Sequence, residues 1–519
     1  MSRTKDNFRV KFLASASLIT WACVAASPAL AASDAGDVKA LVERLERLEA
    51  ANAKLQAEVR DLRSSNAPEQ AVEPVTPYSP APMLAPAQAP AATASAASVE
   101  PQRAVRNSSV VGINPAYGYA ILDHAEGVNQ RLLMQLNARR DGKLTDMVTL
   151  SGGVTVIANA QFSNRKDKFG YLMRHPTPNN QRTKATQDLA VSSAQLAATF
   201  LPEDYVTGYV EMLYDPQQSF ASGTLTALAR NQVQVRKAYV MVGNLAKSPF
   251  YVAIGKMDVP FGLQDTVSPF TNSTNWHAFA PLAYGGQVGY SRNGVNVRVM
   301  ALMGGAQFRS ANTPVDGTAV PAKVNNFTVD GSYTLSFNDT GTLRVGGSYI
   351  HGSAYCQGYP VFHFNPCADN VPAWSAYGQL DMGRLRLIGE LARTTKVWPG
   401  TQVPDPRNPL SQFAASRVTA FTVGGRYLMP VLEGGSNVSV EYSKFIAGPE
   451  GAPWQRQDQL VVGLSHRLSP SVDLGGEYIR VNGFAPLNFV SGGNFTDGST
   501  WSDSSAQSNV LMLALQAAF

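Results

Sequence analysis

The chain has 519 residues, of which 44% are hydrophobic and 16% are charged, so it is longer than an ordinary single soluble domain. Its formal net charge is +5, and the first 31 residues contribute +3 of it. The remainder is close to neutral, which gives no support for nucleic-acid binding.

Residues 1–31 have the pattern of a secretory signal peptide. Basic residues precede an apolar stretch from Phe12 to Ala26, and Ala29-Leu30-Ala31 then offers a small-x-small cleavage site. We expect cleavage after Ala31, which would remove Cys23 with the leader. After this segment no run of 18 apolar residues occurs, so the sequence predicts no transmembrane helix in the mature chain.

Residues 32–66 are predicted to form a coiled coil that makes the protein a homo-oligomer. Heptad position d holds Leu41, Leu48, Leu55 and Leu62, and position a holds Val38, Leu45, Asn52 and Val59. A lone polar residue at position a, here Asn52, specifies register and strand number. The pattern favours a dimer in isolation, although an attached domain can override that preference.

Residues 67–108 are rich in proline, alanine and serine and hold few large apolar side chains. Such a composition cannot bury a core, and its prolines favour an extended, disordered linker. The linker is either a tether that spaces two domains apart or an inert hinge.

Residues 109–145 are a short lead-in to the next domain, and we expect a helix in it from Gly127 to Arg140. Val128, Leu132 and Leu136 fall near one face of that helix. The helix is predicted to pack at one end of the domain that follows, with insertion into its interior as the alternative.

Residues 146–519 alternate between apolar and polar residues in many short segments, which is typical of β-strands exposed to different solvents on their two faces. Sixteen strands are predicted, at 149–162, 189–200, 204–214, 231–242, 250–257, 286–291, 294–304, 324–337, 342–351, 374–382, 384–394, 417–428, 436–446, 458–467, 471–481 and 509–519. The last strand is apolar and would be an exposed edge unless it pairs with the first.

The connections between these strands alternate strictly between long and short. Eight long segments alternate with seven short turns, and consistently unequal ends are typical of an outer-membrane barrel rather than of a soluble sandwich or a propeller. The predicted fold class is all-β, a 16-stranded antiparallel transmembrane β-barrel with an N-terminal α-helical coiled coil and a Pro/Ala-rich linker. Its apolar faces would lie in the lipid bilayer and its polar faces would line a water-filled lumen.

Three features resemble known families. The terminal aromatic Phe519 resembles the signal by which the barrel-assembly machinery recognises outer-membrane proteins, and the order of segments resembles trimeric Gram-negative porins with an N-terminal coiled coil. FYVAIGKMDVPFGLQD, from Phe250 to Asp265, resembles the G-x-x-x-x-PFG segment of the phosphate-selective porin O/P superfamily and its siderophore-porin relatives, through Gly255, Pro260, Phe261 and Gly262.

The resemblance implies an outer-membrane porin for passive diffusion of small hydrophilic solutes, with its N-terminal segment in the periplasm, where it could contact peptidoglycan. The motif leaves phosphate-like anions and siderophores open as solutes. A structural or adhesive protein tethered through its coiled coil is the alternative function. The six histidines stand in no recognisable catalytic motif, so neither enzyme activity nor a cofactor is predicted.

The resemblance also implies that the third long segment, 258–285, folds inward and narrows the channel; an outward surface loop is the alternative. On that basis Asp258, Asp265, Trp276 and His277 are expected at the constriction. Strand phase directs further charged residues into the lumen, where arginines would favour anions. These residues are Arg236, Arg298, Arg344, Arg384, Arg386 and Glu390.

Cys356 and Cys367 are the two cysteines left after leader removal, and export implies an oxidising compartment. We expect a disulfide between them. A zinc site that also uses His351 and His363 is the alternative, although no metal is predicted.

Overall fold

A computed structural model describes the barrel region of the chain. The described residues are 110–172, 183–214, 233–304, 307–308, 324–337, 341–356, 370–397, 413, 416–430, 435–485 and 502–519. The predicted signal peptide, coiled coil and linker lie outside these ranges, as does Cys367, so the expected disulfide stays a prediction. Among the described residues, no helix is long and apolar enough to cross a membrane.

The described part of the chain begins with a short strand and two helices and continues as a long run of strands. The leading elements are β1 (Val111–Ile113), α1 (Pro115–Leu122) and α2 (Arg131–Arg140). The next are β2 (Val148–Ser163), β3 (Ala185–Phe200), β4 (Val206–Tyr214), β5 (Val233–Gly243), β6 (Phe250–Asp258), α3 (Thr274–Phe279), β7 (Pro281–Arg292), β8 (Val295–Met303) and β9 (Gln307–Phe308). The last are β10 (Val324–Phe337), β11 (Gly341–Ile350), β12 (Ala373–Met382), β13 (Leu385–Thr394), β14 (Thr419–Met429), β15 (Ser436–Ile446), β16 (Arg456–Ser469), β17 (Val472–Phe484) and β18 (Asp503–Ala518).

Sixteen of these strands, β2–β8 and β10–β18, close into one antiparallel barrel. Each pairs with the next along the chain, β8 pairs with β10, and β18 returns to pair with β2. At the seam the Phe519 backbone N–H donates to the Gly152 carbonyl over 2.9 Å, and the Gly152 N–H donates back over 3.0 Å. Closure leaves no unpaired strand edge. The predicted 16-stranded antiparallel barrel is confirmed, and Phe519 lies at its seam.

The outer face of the barrel wall is apolar. On β18, Leu511, Leu513 and Leu515 are 57%, 60% and 46% exposed, whereas Val510 and Met512 between them are buried. The same alternation recurs on β8 and other strands. Apolar side chains directed outward from a fully hydrogen-bonded ring are what a lipid environment requires.

The two ends of the barrel differ, as the sequence predicts. One end carries the eight long connections and is called here the long-loop rim; the other carries the seven short ones and is called the short-turn rim. The third long connection runs over 259–280 and is shorter than the predicted 258–285. The reason is that β7 begins at Pro281, since Leu282 to Gly285 still pair with the end of β6.

The lead-in folds into the barrel as a hairpin of two helices, called here the lumen hairpin and comprising residues 114–147. The two ends of the hairpin lie next to each other. The reason is that β1, which precedes the hairpin, pairs in parallel with the first residues of β2, Val148 to Leu150, which follow it. The Asn114 side chain caps α1 by accepting from the Tyr117 N–H over 3.1 Å, and Pro115 follows at the first helical position.

Helix α2 starts at Arg131, four residues after the predicted start at Gly127. Gly127 adopts φ of +61°, a left-handed conformation that glycine tolerates and that does not continue an α-helix. Residues 123–130 therefore form a non-helical crossing, called here the tip, between α1 and α2.

The base of the hairpin is held by apolar packing. Ile121 and Leu122 of α1 and Leu132 and Leu136 of α2 are buried in the main hydrophobic cluster. Polar contacts to inward-facing wall residues supplement this packing: the Tyr117 hydroxyl lies 2.7 Å from the Thr199 hydroxyl, and Tyr239 donates to Gln135 over 2.8 Å.

Candidate functional site in the barrel lumen

The third long connection, residues 259–280 and called here the inner loop, folds across the lumen. Its backbone is held by the carboxylate of Glu390, near the middle of β13. Gln264 donates its backbone N–H to that carboxylate over 2.8 Å, and Leu263 does so over 3.2 Å. The Ser375 hydroxyl donates to the same carboxylate over 2.8 Å, which orients it. The Glu390 side chain and this loop therefore both lie inside the barrel.

Two further glutamates continue this attachment along the wall. Glu441 on β15 accepts from the Val267 N–H over 2.9 Å. Glu477 on β17 accepts from the Phe270 N–H over 2.7 Å and from the Thr271 N–H over 3.0 Å. Because β13, β15 and β17 are alternate strands, the three carboxylates stand roughly 10 Å apart, a span that three or four extended residues cover. Glu390, Glu441 and Glu477 are called here the glutamate ladder.

The glycine at the end of the PFG motif has a specific role at the first rung of this ladder. Gly262 has φ of +73°, and a Cβ built there would lie 1.9 Å from a carboxylate oxygen of Glu390. Only glycine lets the loop backbone come so close to the carboxylate.

We expect Gly262→Ala to loosen the inner loop and to lower the free energy of unfolding by about 1–3 kcal/mol, because the methyl group displaces Glu390 and the backbone is strained. Urea unfolding in lipid vesicles measures this. Gly389→Ala, where an added Cβ meets nothing within 4 Å, is the matched control and should change little.

Trp276 and His277 are buried in the inner loop. Both lie in α3, which Ser273 caps by accepting the Trp276 N–H over 3.0 Å, and they are 6% and 3% exposed. Trp276 packs with Val128 of the lumen hairpin. Trp276 thus fastens the loop to the hairpin, and neither side chain borders open water.

Arg298, predicted to face the lumen, forms a buried ion pair with Asp330 of β10. Its Nη2 and Nε lie 2.6 and 3.1 Å from Asp330 Oδ2. Asp330 also accepts from the hydroxyls of Ser348 and Tyr377, over 2.7 and 2.8 Å. Much of the field of Arg298 is therefore cancelled locally.

The remaining predicted arginines of β11–β13 differ in their surroundings. Arg386 is paired with Asp381 and with Glu126 of the hairpin tip. Arg384 lies outside the strand, in the β12–β13 turn, and is exposed. The half-buried guanidinium of Arg344 lies 5.6 Å from the centre of the Tyr377 ring, and its Nη2 has no hydrogen-bond partner.

A cluster of buried charges occupies the wall beside α2. Lys237 lies 2.9 Å from Asp258 and 3.5 Å from Glu211, and Glu211 also lies 3.5 Å from Arg236. Arg131 of α2 completes the cluster, 3.6 Å from Asp258. Asp258 is thus part of a closed ion network and does not project alone into a constriction.

The alternation of residues along β5 does not predict that Lys237 faces the lumen. A register shift between Glu211 and Met212 leaves Arg236 as an extra residue opposite β4, so two consecutive side chains, Arg236 and Lys237, both turn inward. Glu126 and Arg131 were also missed, since nothing local marks them as lumen residues, and Arg426 was missed although it shares the strand phase of the buried Thr422.

The tip of the lumen hairpin is hydrogen-bonded to the inner loop. Asp265 accepts from the Val128 N–H over 3.0 Å, and the Thr266 N–H donates to the Ala125 carbonyl over 2.9 Å. The Asn129 amide donates to the carbonyl of Phe261 over 2.6 Å. Hairpin and loop therefore form one continuous layer across the lumen.

The charged groups of the tip respond to burial in opposite ways. Burial, reinforced by the negative charge of Glu126, raises the pKa of Asp123 to about 7. Burial would also raise the pKa of Glu126, but Arg426 and Arg386 together outweigh it and hold that pKa below its ordinary value. Burial lowers the pKa of His124 to about 4, so this imidazole is neutral at pH 7.

A cavity of about 250 Å³ remains on the short-turn side of the tip. Tyr119 and Glu126 of the hairpin border it on one side, and Arg426, Arg467 and Asp473 of the wall border it on the other. Its lining mixes these charged groups with apolar side chains such as Phe270 and Leu474. Within the ranges that the structure describes, no group of three His, Cys, Asp or Glu side chains is placed to hold a metal ion.

Comparison with known proteins gives distant similarities. No family model matches the chain. A UPF0422 protein of Coxiella burnetii is 25% identical over 268 residues, which are 48% of this chain and 50% of that protein, so the chain spans about half the length of the curated relative it matches.

Solved barrels are similar at lower identity. The outer-membrane channel DcaP of Acinetobacter baumannii is 14% identical with a TM-score of 0.42, covering 72% of this chain and 97% of that one. An anion-selective porin from Comamonas acidovorans is 12% identical with a TM-score of 0.44, covering 72% and 99%. OprB of Pseudomonas putida is 10% identical with a TM-score of 0.43, covering 71% and 94%. Similarities at this level carry no information about what this chain does.

Proposed function

We propose that this protein is an outer-membrane porin through which small hydrophilic solutes diffuse passively. The observation that carries the proposal is the closed 16-stranded ring whose outer face is apolar and whose inner face is polar and charged. A closed ring with this polarity satisfies every backbone group in lipid and keeps water inside. The inner loop, held by the glutamate ladder, would set the size of the solute that passes.

The nature of the solute is a finer part of the proposal. We propose a small preference for anions, phosphate-like ions or siderophores among them, carried mainly by Arg344. The pairing of Arg298 and Arg386 with carboxylates argues for a weak preference, since paired charges cancel most of each other's field.

The assembly and partners are proposed from the sequence. The heptads from Leu41 to Leu62 would join copies of the chain, with a trimer as the expected state, and the linker would place them in the periplasm beside peptidoglycan. Phe519, a residue that is 44% exposed at the barrel seam, would be recognised by the barrel-assembly machinery.

We expect the purified oligomer to conduct ions across a planar lipid bilayer, with current steps in multiples of three for a trimer. In a salt gradient, the reversal potential should be displaced slightly towards anion selectivity, and Arg344→Gln should remove that displacement. Gln379, on the neighbouring strand opposite Arg344, provides a neutral control position in Gln379→Asn. Absence of current from correctly folded oligomers would refute the porin proposal.

A structural or adhesive barrel tethered through its coiled coil is the second candidate. The layer formed by the inner loop and the hairpin tip favours it, because a sealed lumen would pass no solute. The same bilayer measurement separates the two functions: a sealed barrel inserts without conducting.

A further inference from the structure

We propose that the tip of the lumen hairpin, residues 123–130, is a gate that swings out of the lumen while the rest of the barrel stays intact. The inference rests on the proposed porin function and adds to it the element that opens the channel. The tip lies across the lumen, is held mainly by polar contacts, and belongs to a hairpin that joins the wall covalently at one place.

The hairpin is joined covalently to the wall on one side only. The chain leaves β1 at Ile113, beside Leu150, and rejoins the wall where β2 begins at Val148. Both ends of the hairpin therefore lie on one strand at the short-turn rim. Because β2 pairs with β18 and β3 independently of the hairpin, movement of the tip would break no pair of the barrel ring.

The base and the tip are held by different forces. The base buries Ile121, Leu122 and Leu136 in the main hydrophobic cluster, and removing them from it would expose apolar surface to water. The tip is held mainly by polar contacts, which water can replace at a small net cost of about 0.5–1.5 kcal/mol each, together with the packing of Val128 against Trp276. Opening is therefore expected at the tip, with the helices as fixed arms.

Besides its hydrogen bonds to the inner loop, the tip is fastened to the two walls that face it. On one side Glu126 pairs with Arg386 of β13 and with Arg426 of β14. On the other side Arg298 of β8 donates to the Asn129 carbonyl. Glu126 is the principal latch, because one carboxylate neutralises two arginines from adjacent strands.

Release of the latch would also change the electrostatics of the passage. With the tip in place, Glu126 lies against Arg386 and Arg426. With the tip withdrawn, both guanidinium groups face the lumen, and among the residues that the structure describes only Arg386 keeps a carboxylate, that of Asp381. The open state should thus be wider and more anion-selective than the closed state.

Single-channel recording of three variants tests the gate. In the first, residues 123–130 are replaced by an eight-residue Gly-Ser linker, which keeps both helices and the chain length. In the second, Glu126→Gln removes the charge of the latch and keeps its shape. The third, Glu203→Gln, makes the same chemical change at an exposed position in a short turn and is the control.

We expect the linker variant to conduct at least about twofold more per channel than the unmodified protein, since a filled part of the lumen becomes water. Glu126→Gln should open more often, and Glu203→Gln should behave as the unmodified protein does. Reversal potentials of the linker variant should shift towards anions.

Two results would overturn the gate, and they are distinguishable. Equal conductance and open time in all four proteins would mean that the tip does not obstruct the channel, while the porin function would stand. No current from any of them, with folding verified by heat-modifiable mobility on gels, would refute both the gate and the porin function.

Discussion

Arg298→Met is expected to lower the free energy of unfolding by about 3–5 kcal/mol, because it leaves the buried carboxylate of Asp330 without its counter-charge. Asp330 is fully buried and faces Arg298 across adjacent strands β8 and β10. The Ser348 and Tyr377 hydroxyls still donate to it, but neutral donors do not compensate a buried charge. Urea unfolding in lipid vesicles, followed by tryptophan fluorescence, measures the loss.

Two further variants isolate the buried ion pair as the cause. Arg292→Met makes the same change at the exposed end of β7 and should shift the unfolding midpoint little. Arg298→Met combined with Asp330→Asn should recover much of the stability, because no unpaired charge remains. Similar losses from Arg298→Met and Arg292→Met would show that the pair contributes nothing to stability.

Glu477→Gln is expected to free the second half of the inner loop. The carboxylate accepts from the backbone N–H groups of Phe270 and Thr271 and from the Thr271 hydroxyl. Both backbone N–H groups donate to one oxygen, Oε1, so a glutamine oxygen placed there would still accept them, but as a neutral acceptor without the charge assistance. Since each charge-assisted hydrogen bond contributes about 1.5–3 kcal/mol, hydrogen exchange at Phe270 and Thr271 should become at least about tenfold faster.

The effect of Glu477→Gln should remain local to the inner loop. Peptides from the barrel strands should exchange as before, and the channel should become noisier, because a mobile loop alters the passage from moment to moment. Glu450→Gln, an exposed glutamate in another long connection, is the matched control. Unchanged exchange at Phe270 and Thr271 would mean that Glu477 does not hold the loop.

The glutamate ladder shows that the alternation of residues along a strand predicts the direction of a side chain but not its binding partners. Phase alone directs Glu390, Glu441 and Glu477 inward, and the structure places all three there. It does not say what they bind, because their partners, the backbone N–H groups of residues 263–271, lie more than a hundred residues away in the chain.

For the lumen arginines, too, the sequence predicts the direction of the side chain but not its partner. The sequence predicts an arginine-lined wall, and Arg298 and Arg386 do turn inward. Their carboxylate partners Asp330, Asp381 and Glu126 were not predicted, so the field of the wall is weaker than the sequence suggests. Glu126 and Arg386 are 260 residues apart, and no local pattern relates them.

By itself, the sequence determined the number of strands, the face of each that meets lipid, the alternation of long and short connections and the closing strand at the C-terminal end of the barrel. These follow from a period of two and from the preference of each side chain for lipid or water, which are local properties. Only the tertiary structure decided that the lead-in enters the lumen, that the third connection folds onto the glutamate ladder, and that Arg236 and Lys237 both turn inward. Those outcomes depend on contacts between distant parts of the chain and on one register shift, whose energies no short stretch of residues contains.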